Sequence, residues 1–172
     1  MSPKLTPGQM TPALTLPLAG GGTWDLAAQT PALLSMIVVY RGYHCPVCKG
    51  YLQKLNALAA DFAAQGVSLV AVSMDSAERA ASAKAEWALD HLPIAYGMSE
   101  ATAQAWGLWV SASIKEAEAA IFAEPGLFWV LPDGKLYLID IANMPFARPD
   151  LDLLLSKLGA VKAGYPPRGT RA

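Results

Sequence analysis

A run of apolar residues leading into a Cys-x-x-Cys pair constrains the fold of this chain more than any other feature of its sequence. Residues 33–40 read LLSMIVVY, an apolar run without alternation, which is typical of a strand buried on both faces of a sheet. Both cysteines of the protein, Cys45 and Cys48, follow soon afterwards. Over residues 46–65 the apolar side chains recur at three- and four-residue steps, which predicts an amphipathic helix. A buried strand is therefore expected to deliver the two thiols onto the first turn of a helix.

The size and charge of the chain are those of an ordinary folded domain. With 172 residues we expect a single domain over residues 1–172, with an irregular tail at 160–172. A hydrophobic fraction of 53% and a formal net charge of −1 fit a soluble globular protein. Lysines and arginines are scattered and form no basic run with interleaved aromatics, so the sequence predicts no nucleic-acid partner.

The N-terminal segment bears on the compartment in which the protein works. It is broken by prolines and has no continuous apolar core behind a cationic start, so it does not resemble a signal peptide. The apolar run 33–40 is too short to cross a bilayer as a helix. We therefore expect a cytoplasmic protein without a membrane partner. In a reducing compartment a permanent disulfide is rare, and a Cys-x-x-Cys pair is more often catalytic or metal-binding.

The remaining sequence predicts alternating strands and helices. Residues 107–113 carry no clear pattern, whereas the other segments do. Pro132-Asp133-Gly134 marks a turn between two apolar runs, which predicts a hairpin. The predicted elements are a hairpin in 11–28 covering one sheet edge, a buried strand in 66–75, helices in 76–92, 99–106 and 115–122, a hairpin in 126–141 and a helix over 149–158.

Placement at a helix start gives the two cysteines their expected chemistry. Free N–H groups and a partial positive charge at a helix N-terminus stabilise a thiolate and lower the thiol pKa. A spacing of three residues puts the second sulfur one turn from the first, near enough for a disulfide. Two other interpretations stay open at this point. The thiols could be inert core residues, or the pair could bind Cu or Zn as a non-enzymatic module, with His44 or a second subunit supplying the missing ligand.

Residues 38–55, VVYRGYHCPVCKGYLQKL, resemble the thioredoxin-fold family of alkyl hydroperoxide reductases and thiol-specific antioxidant proteins, the peroxiredoxins and their redoxin relatives. The resemblance extends from residues 12–26 to residues 144–158 and implies a thioredoxin-like α/β fold with a central mixed sheet flanked by helices. In that family a Pro-x-x-x-Thr-x-x-Cys motif surrounds the peroxidatic cysteine. On this chain the cysteine falls on Cys48, the threonine position on Cys45 and the proline position on Arg41.

The chain departs from the family pattern at Pro125. The family usually carries an arginine directly before a Gly-Leu-Phe strand, where this chain has Pro125 in EPGLFWV. That proline instead resembles the cis-proline beside the dithiol of thioredoxins. Arg41 or Arg148 would then have to replace the missing arginine.

Two mechanisms follow from the resemblance, and neither needs an organic or metal cofactor. In the first, slightly favoured, an exposed Cys45 attacks a disulfide and Cys48 resolves the mixed disulfide. In the second, Cys48 attacks a hydroperoxide, becomes a sulfenic acid and condenses with Cys45. Either cycle implies an external reductant of the thioredoxin or glutathione type. Family members commonly pair through sheet edges or helix faces, which leaves a homodimer open.

The residues around the pair complete the predicted site. His44 is expected to raise the positive potential at the thiolate, and Tyr43 to lie at the rim. Arg148 could fold over the site, and Glu124 could accept a proton near the dithiol. The predicted catalytic residues are Cys45, Cys48, Pro125 and Arg41, and the predicted substrate-binding residues are His44, Tyr43, Pro46 and Arg148.

Overall fold

The computed structural model describes residues 4–171 and shows an α/β fold. Residues 1–3 of the predicted domain and Ala172 of the predicted tail lie outside the described residues. The strands are β1 (Thr15–Pro17), β2 (Thr23–Asp25), β3 (Leu34–Val39), β4 (Val67–Val72), β5 (Ile94–Ala95), β6 (Val110–Ala112), β7 (Ile121–Ala123), β8 (Gly126–Val130) and β9 (Leu136–Ile141). The helices are α1 (Pro46–Ala64), α2 (Ala77–Glu86), α3 (Glu100–Ala105) and α4 (Leu151–Lys162), with a 3-10 turn at Leu26–Ala28.

A five-stranded mixed sheet forms the centre of the molecule, in the order β5-β4-β3-β8-β9. The pairs β3–β4 and β4–β5 are parallel, whereas β8 is antiparallel to both β3 and β9. Every residue of β3 is buried, as its unbroken apolar sequence predicts for a strand covered on both faces. The predicted thioredoxin-like fold with a central mixed sheet is confirmed.

Side chains alternate along β3 between two apolar layers. Met36 and Val38 join a buried cluster formed with α1, α2 and α4. Ile37 and Val39 face the opposite way, into a cluster formed with the β1–β2 hairpin and the residues around α3. The strand ends against buried Tyr40, so the loop that follows starts from a fixed point and leads to the first turn of α1.

Each helix begins at a residue whose side chain accepts a hydrogen bond from a first-turn N–H group, which satisfies a donor that the helix itself leaves free. The capping residues are Cys45 for α1, Ser76 for α2, Ser99 for α3 and Asp150 for α4.

Within residues 4–171 none of the helices combines the length and apolar character that a membrane crossing requires.

The predicted helix over 115–122 is wrong. Residues 110–123 instead form the antiparallel β6–β7 hairpin, in which Phe122 pairs with Ser111. Local propensity for helix in Lys-Glu-Ala-Glu-Ala-Ala loses to tertiary packing, because the Phe122 ring is buried. The hairpin over 126–141 is confirmed as β8 and β9, and β1 and β2 form the N-terminal hairpin next to the β5 edge.

Two helix boundaries also differ from prediction. The predicted helix over 76–92 ends at Glu86, because the chain turns at Ala88, where φ is 54°, and buries Leu89. The last helix continues through Lys162, beyond its predicted end at 158, so the irregular tail begins at residue 163 instead of residue 160.

Candidate active site

The two cysteines form a disulfide across the first turn of α1. Cys45 is the N-cap residue, and its Sγ accepts a hydrogen bond from the Cys48 N–H at 3.2 Å. Their Cα atoms lie 5.2 Å apart, within the usual range for a disulfide. Both residues are buried in this oxidised form, so the expected exposure of Cys45 is not found there. The pair can therefore open and close within one helical turn of the folded chain.

Arg148 supplies a cationic donor to Cys48. Its Nη2 donates to Cys48 Sγ at 2.9 Å, and its guanidinium lies over the Tyr51 ring, 4.8 Å from the centroid. The Tyr51 hydroxyl donates to the carbonyl of Pro149 at 2.7 Å, which fixes the segment that carries the arginine. Burial lowers the pKa of Arg148 to about 10, so the side chain is still cationic at neutral pH. A cation in this position stabilises the thiolate form of Cys48.

Arg41 is paired with a buried carboxylate. Its Nε lies 3.0 Å from Glu124 Oε2 in an ion pair without the alignment of a hydrogen bond. The Glu124 Oε1 accepts a hydrogen bond from the Ser111 hydroxyl at 2.7 Å, and the Arg41 guanidinium lies 4.8 Å from the Phe122 ring centroid. Glu124 thus neutralises the charge of Arg41 and ties it to the β6–β7 hairpin. A catalytic role for Arg41 stays a prediction.

The loop before Cys45 is held by Asp75 and Arg79. The Asp75 carboxylate accepts the Tyr43 N–H at 2.8 Å, and Arg79 Nε donates to the same carboxylate at 3.2 Å. Arg79 Nη2 also donates to the Ala117 carbonyl at 3.1 Å and lies 3.4 Å from His44 Nδ1. These contacts join the loop to α2 and to the connection between β6 and β7.

His44 and Tyr43 contribute packing around the loop. Burial, and then the nearby charge of Arg41, lower the pKa of His44, so its ring is neutral at pH 7 and adds no positive charge there. The ring instead packs edge-on against Phe122, with centroids 4.7 Å apart. Tyr43 stacks on Trp87, and its hydroxyl donates a hydrogen bond to Glu86.

The Glu124–Pro125 peptide bond is trans, so the predicted resemblance to a thioredoxin cis-proline is wrong. The chain passes through Pro125 in extended pairing, because the Glu124 N–H donates to the Trp109 carbonyl and the Pro125 carbonyl accepts from the Ala142 N–H. Pro125 and Arg148 nevertheless line one small cavity of about 10 Å³. The structure therefore brings the two predicted residues together beside α1.

A surface groove of about 440 Å³ opens beside the disulfide. Pro46 and Val47, the residues between the cysteines, line it together with Arg148 and Phe146. Another groove, of about 810 Å³, runs along β9 and the C-terminal segment, and its described lining includes no predicted site residue. Arg148 lines the groove of about 440 Å³ and also contacts the Cys48 sulfur, so this groove lies next to the redox pair.

Metal binding finds no support in this geometry. Within the described residues 4–171 no three His, Cys, Asp or Glu side chains cluster as metal ligands. His44 Nδ1, the ligand atom nearest in sequence to the pair, lies beside the Arg79 guanidinium, which would repel a cation.

Asp75 and Arg79 are absent from the predicted site. A sequence signal for them exists in MDSAER, where an acid and an arginine four residues apart follow a buried strand. That spacing predicts an ion pair at the start of a helix, but it does not show that the pair reaches the cysteine loop.

Fold and site together define the class of the protein, a thiol-dependent oxidoreductase with a thioredoxin-like fold. The AhpC/TSA family model matches residues 7–139, and the chain belongs to the AhpC/TSA family. The protein is thus a peroxiredoxin-like enzyme with a Cys-x-x-Cys pair. No curated protein sequence matches the chain significantly.

Solved structures share the fold over most of their length at low sequence identity. The peroxidoxin BcpB of Mycobacterium tuberculosis matches with a TM-score of 0.75 and 18% identity, over 91% of this chain and 98% of that chain. A peroxiredoxin-like protein from Aquifex aeolicus matches with a TM-score of 0.75 and 16% identity, over 92% and 89%. The reduced Prx3 of Vibrio vulnificus in complex with hydrogen peroxide matches with a TM-score of 0.75 and 15% identity, over 90% and 99%.

Proposed function

We propose that this oxidoreductase reduces hydroperoxides, with Cys48 as the attacking cysteine and Cys45 as the resolving one. The observation that carries the proposal is the hydrogen bond from Arg148 Nη2 to Cys48 Sγ at 2.9 Å. The sequence alone slightly favours Cys45 as nucleophile, but a charged donor on Cys48 favours the thiolate at that position.

Arg148 replaces the arginine that the family resemblance expects before β8. Pro125 occupies that place and lies with Arg148 around the same small cavity. The guanidinium thus enters from the segment between β9 and α4 and reaches the same neighbourhood. Its donors are also suited to the oxygen on which negative charge develops as a peroxide bond breaks.

The proposed cycle has three steps: oxidation of Cys48, formation of the disulfide and reduction of the disulfide. The Cys48 thiolate attacks one peroxide oxygen, the O–O bond breaks, and the leaving alkoxide takes a proton to become an alcohol or water. Cys48 is then a sulfenic acid, and the Cys45 thiol displaces its oxygen as water to form the disulfide. An external dithiol, or two glutathione molecules, reduces the disulfide and is itself oxidised.

We further propose a thioredoxin or glutathione system as the reductant and the cytoplasm as the compartment. Thioredoxin and glutathione systems hold thiols reduced in the cytoplasm, so a cycle that consumes thiol equivalents fits that compartment. A homodimer, which is common in the family, is not required by these steps, because both cysteines belong to one chain.

Disulfide exchange led by Cys45 is the second candidate function. Cys45 occupies the N-cap of α1, where the free N–H groups of the helix favour a thiolate, and its sulfur accepts the Cys48 N–H. This arrangement would suit attack on a partner disulfide followed by resolution by Cys48.

Stopped-flow oxidation of the fully reduced protein separates the two candidates. Tryptophan fluorescence would follow reaction with hydrogen peroxide and with an organic hydroperoxide, in the wild type, Cys48→Ser and Cys45→Ser. We expect oxidation far faster than that of free cysteine, lost in Cys48→Ser. In Cys45→Ser the first step persists and a trappable sulfenic acid accumulates. Oxidation no faster than free cysteine, together with a mixed disulfide trapped on Cys45 in Cys48→Ser, would contradict peroxide chemistry.

A further inference from the structure

Asp75 lies just after β4, in a segment whose backbone is held by hydrogen bonds. Its side chain is fully buried. Its N–H donates to the hydroxyl of Ser73 at 3.2 Å, and its carbonyl accepts the Gly97 N–H at 3.0 Å. The backbone that carries the carboxylate is therefore held from both sides.

The carboxylate holds the loop that leads into Cys45. It accepts the Tyr43 N–H at 2.8 Å. Gly42 passes so close that a Cβ added there would lie 2.6 Å from Asp75 Oδ1, and its φ of +136° is one that other residues rarely adopt. The Cys45 N–H in turn donates to the Gly42 carbonyl at 3.1 Å. A chain of direct contacts thus runs from the carboxylate to the residue that carries the first sulfur.

Arg79 keeps this buried carboxylate paired. It donates to Asp75 at 3.2 Å, contacts the Ala117 carbonyl and the His44 ring, and lies 5.8 Å from the Tyr43 ring centroid. A buried carboxylate without such a partner would destabilise the fold, so the ion pair allows a charged group to hold the loop.

Cys48 is supported by different groups. It lies inside α1, whose Leu52 and Leu55 are in the core, and it receives the Arg148 donor. We propose that Asp75 is a positioning residue for the redox pair, whose carboxylate fixes the 41–44 loop so that Cys45 Sγ stays within reach of Cys48. The inference rests on the proposed function only where it concerns the rates of the peroxide reaction, because closure of the Cys45–Cys48 disulfide can be measured without peroxide.

The first measurement is the equilibrium of the Cys45–Cys48 pair in glutathione redox buffers. It gives the effective concentration of one thiol at the other and needs no peroxide. We expect Asp75→Asn to lower this effective concentration at least tenfold and to raise the fraction of protein–glutathione mixed disulfide. The control is Asp133→Asn, the same change at an exposed turn carboxylate, which leaves the equilibrium unchanged.

The second measurement separates the two steps of the peroxide reaction. In Asp75→Asn the rate of Cys48 oxidation should stay within about twofold of wild type, because Arg148 is not part of the loop, whereas the sulfenic acid should persist longer. A merely structural role would instead slow both steps in parallel with a loss of thermal stability. Should wild type fail to react with peroxide, the proposed function fails, while the glutathione equilibrium still decides the role of Asp75.

Two results would overturn the inference. One is an unchanged glutathione equilibrium in folded Asp75→Asn. The other is a parallel fall in the rates of both peroxide steps together with a loss of thermal stability. If Asp75→Asn does not fold, Arg79→Gln replaces it: this variant keeps the carboxylate but removes its cationic partner. We expect a severalfold fall in effective concentration there, and an unchanged value would equally overturn the proposal.

Discussion

The two sulfurs of one disulfide are supported by regions of different chemical character. On the Cys48 side a guanidinium from the β9–α4 segment touches the sulfur directly. On the Cys45 side Asp75 and Arg79 contact the preceding loop, through the Tyr43 N–H and the His44 ring. This contrast indicates that the reactivity of Cys48 and the closure of the disulfide depend on separate parts of the molecule. Substitutions around Arg148 should therefore change the rate at which Cys48 reacts. Substitutions around Asp75 should change the closure of the Cys45–Cys48 disulfide.

The sharpest test of this division is removal of the cation at Cys48. Arg148→Gln should slow peroxide oxidation of Cys48 by roughly 100-fold, because preorganised charged donors contribute about that much to a developing anion. Closure of the pair in glutathione buffers should hardly change. Stopped-flow kinetics in a Cys45→Ser background measures the first step alone. Arg41→Gln tests the other arginine. We expect a smaller loss there, because Arg41 is paired with Glu124, and an equal loss would contradict the assignment to Arg148.

A substitution on the other side should have the opposite profile. Gly42→Ala puts a methyl group against the Asp75 carboxylate at a positive φ, which should cost roughly 1–3 kcal/mol of unfolding free energy. The effective concentration of one thiol at the other should fall about tenfold, because the loop must move, while Cys48 oxidation is retained. Urea denaturation and the glutathione equilibrium measure the two effects. Gly50→Ala, at an open position inside α1, should instead stabilise by about 0.5–1 kcal/mol.

A smaller effect is expected from the residue that orients Arg148. Tyr51→Phe keeps the ring under the guanidinium but removes the hydrogen bond to the Pro149 carbonyl, at a cost of about 1 kcal/mol. Cys48 oxidation should slow only a few-fold. Tyr137→Phe loses a similar bond, to the Tyr165 carbonyl, in the groove along β9 whose described lining includes no predicted site residue, and serves as the matched control. Equal kinetic losses in both variants would show that Tyr51 acts only through stability.

The smallest effect concerns pH. Because burial lowers the pKa of Arg148 to about 10, the charged donor is lost as pH rises through that value. In a Cys45→Ser variant the oxidation rate per Cys48 thiolate should be flat at lower pH and about halved near pH 10. Thiolate absorbance and circular dichroism would verify ionisation and folding. A rate per thiolate that stays unchanged through that pH would remove Arg148 from the first step.

The sequence predicts the sheet and the helix that carries the cysteines because their signals are local. The apolar run before Cys45 and the periodicity of α1 each arise within one element, and both are confirmed. The helix expected over 115–122 fails for the opposite reason. There local propensity favours helix, but burial of Phe122 and pairing with β6 decide the structure.

The site is less predictable because its contacts are distant along the chain. Arg148 lies 100 residues from Cys48, and no spacing rule links them. The resemblance to a known family offers both arginines, and the sequence favours Arg41 as the catalytic one; only the structure shows that Arg148 contacts the sulfur and Arg41 a carboxylate. Asp75 is harder still to predict, because its contact with the loop is to a backbone N–H that every residue type except proline has.

The single-turn span between Cys45 and Cys48 has a consequence for survival under oxidative load. A sulfenic acid on Cys48 can be captured by a thiol on the same helix cap, without unwinding of α1 and without a second chain. Capture competes with a second peroxide molecule, which would carry the sulfur irreversibly to sulfinic acid. A partner held this close shortens the vulnerable interval, so the enzyme should tolerate bursts of peroxide that inactivate proteins whose resolving thiol arrives late.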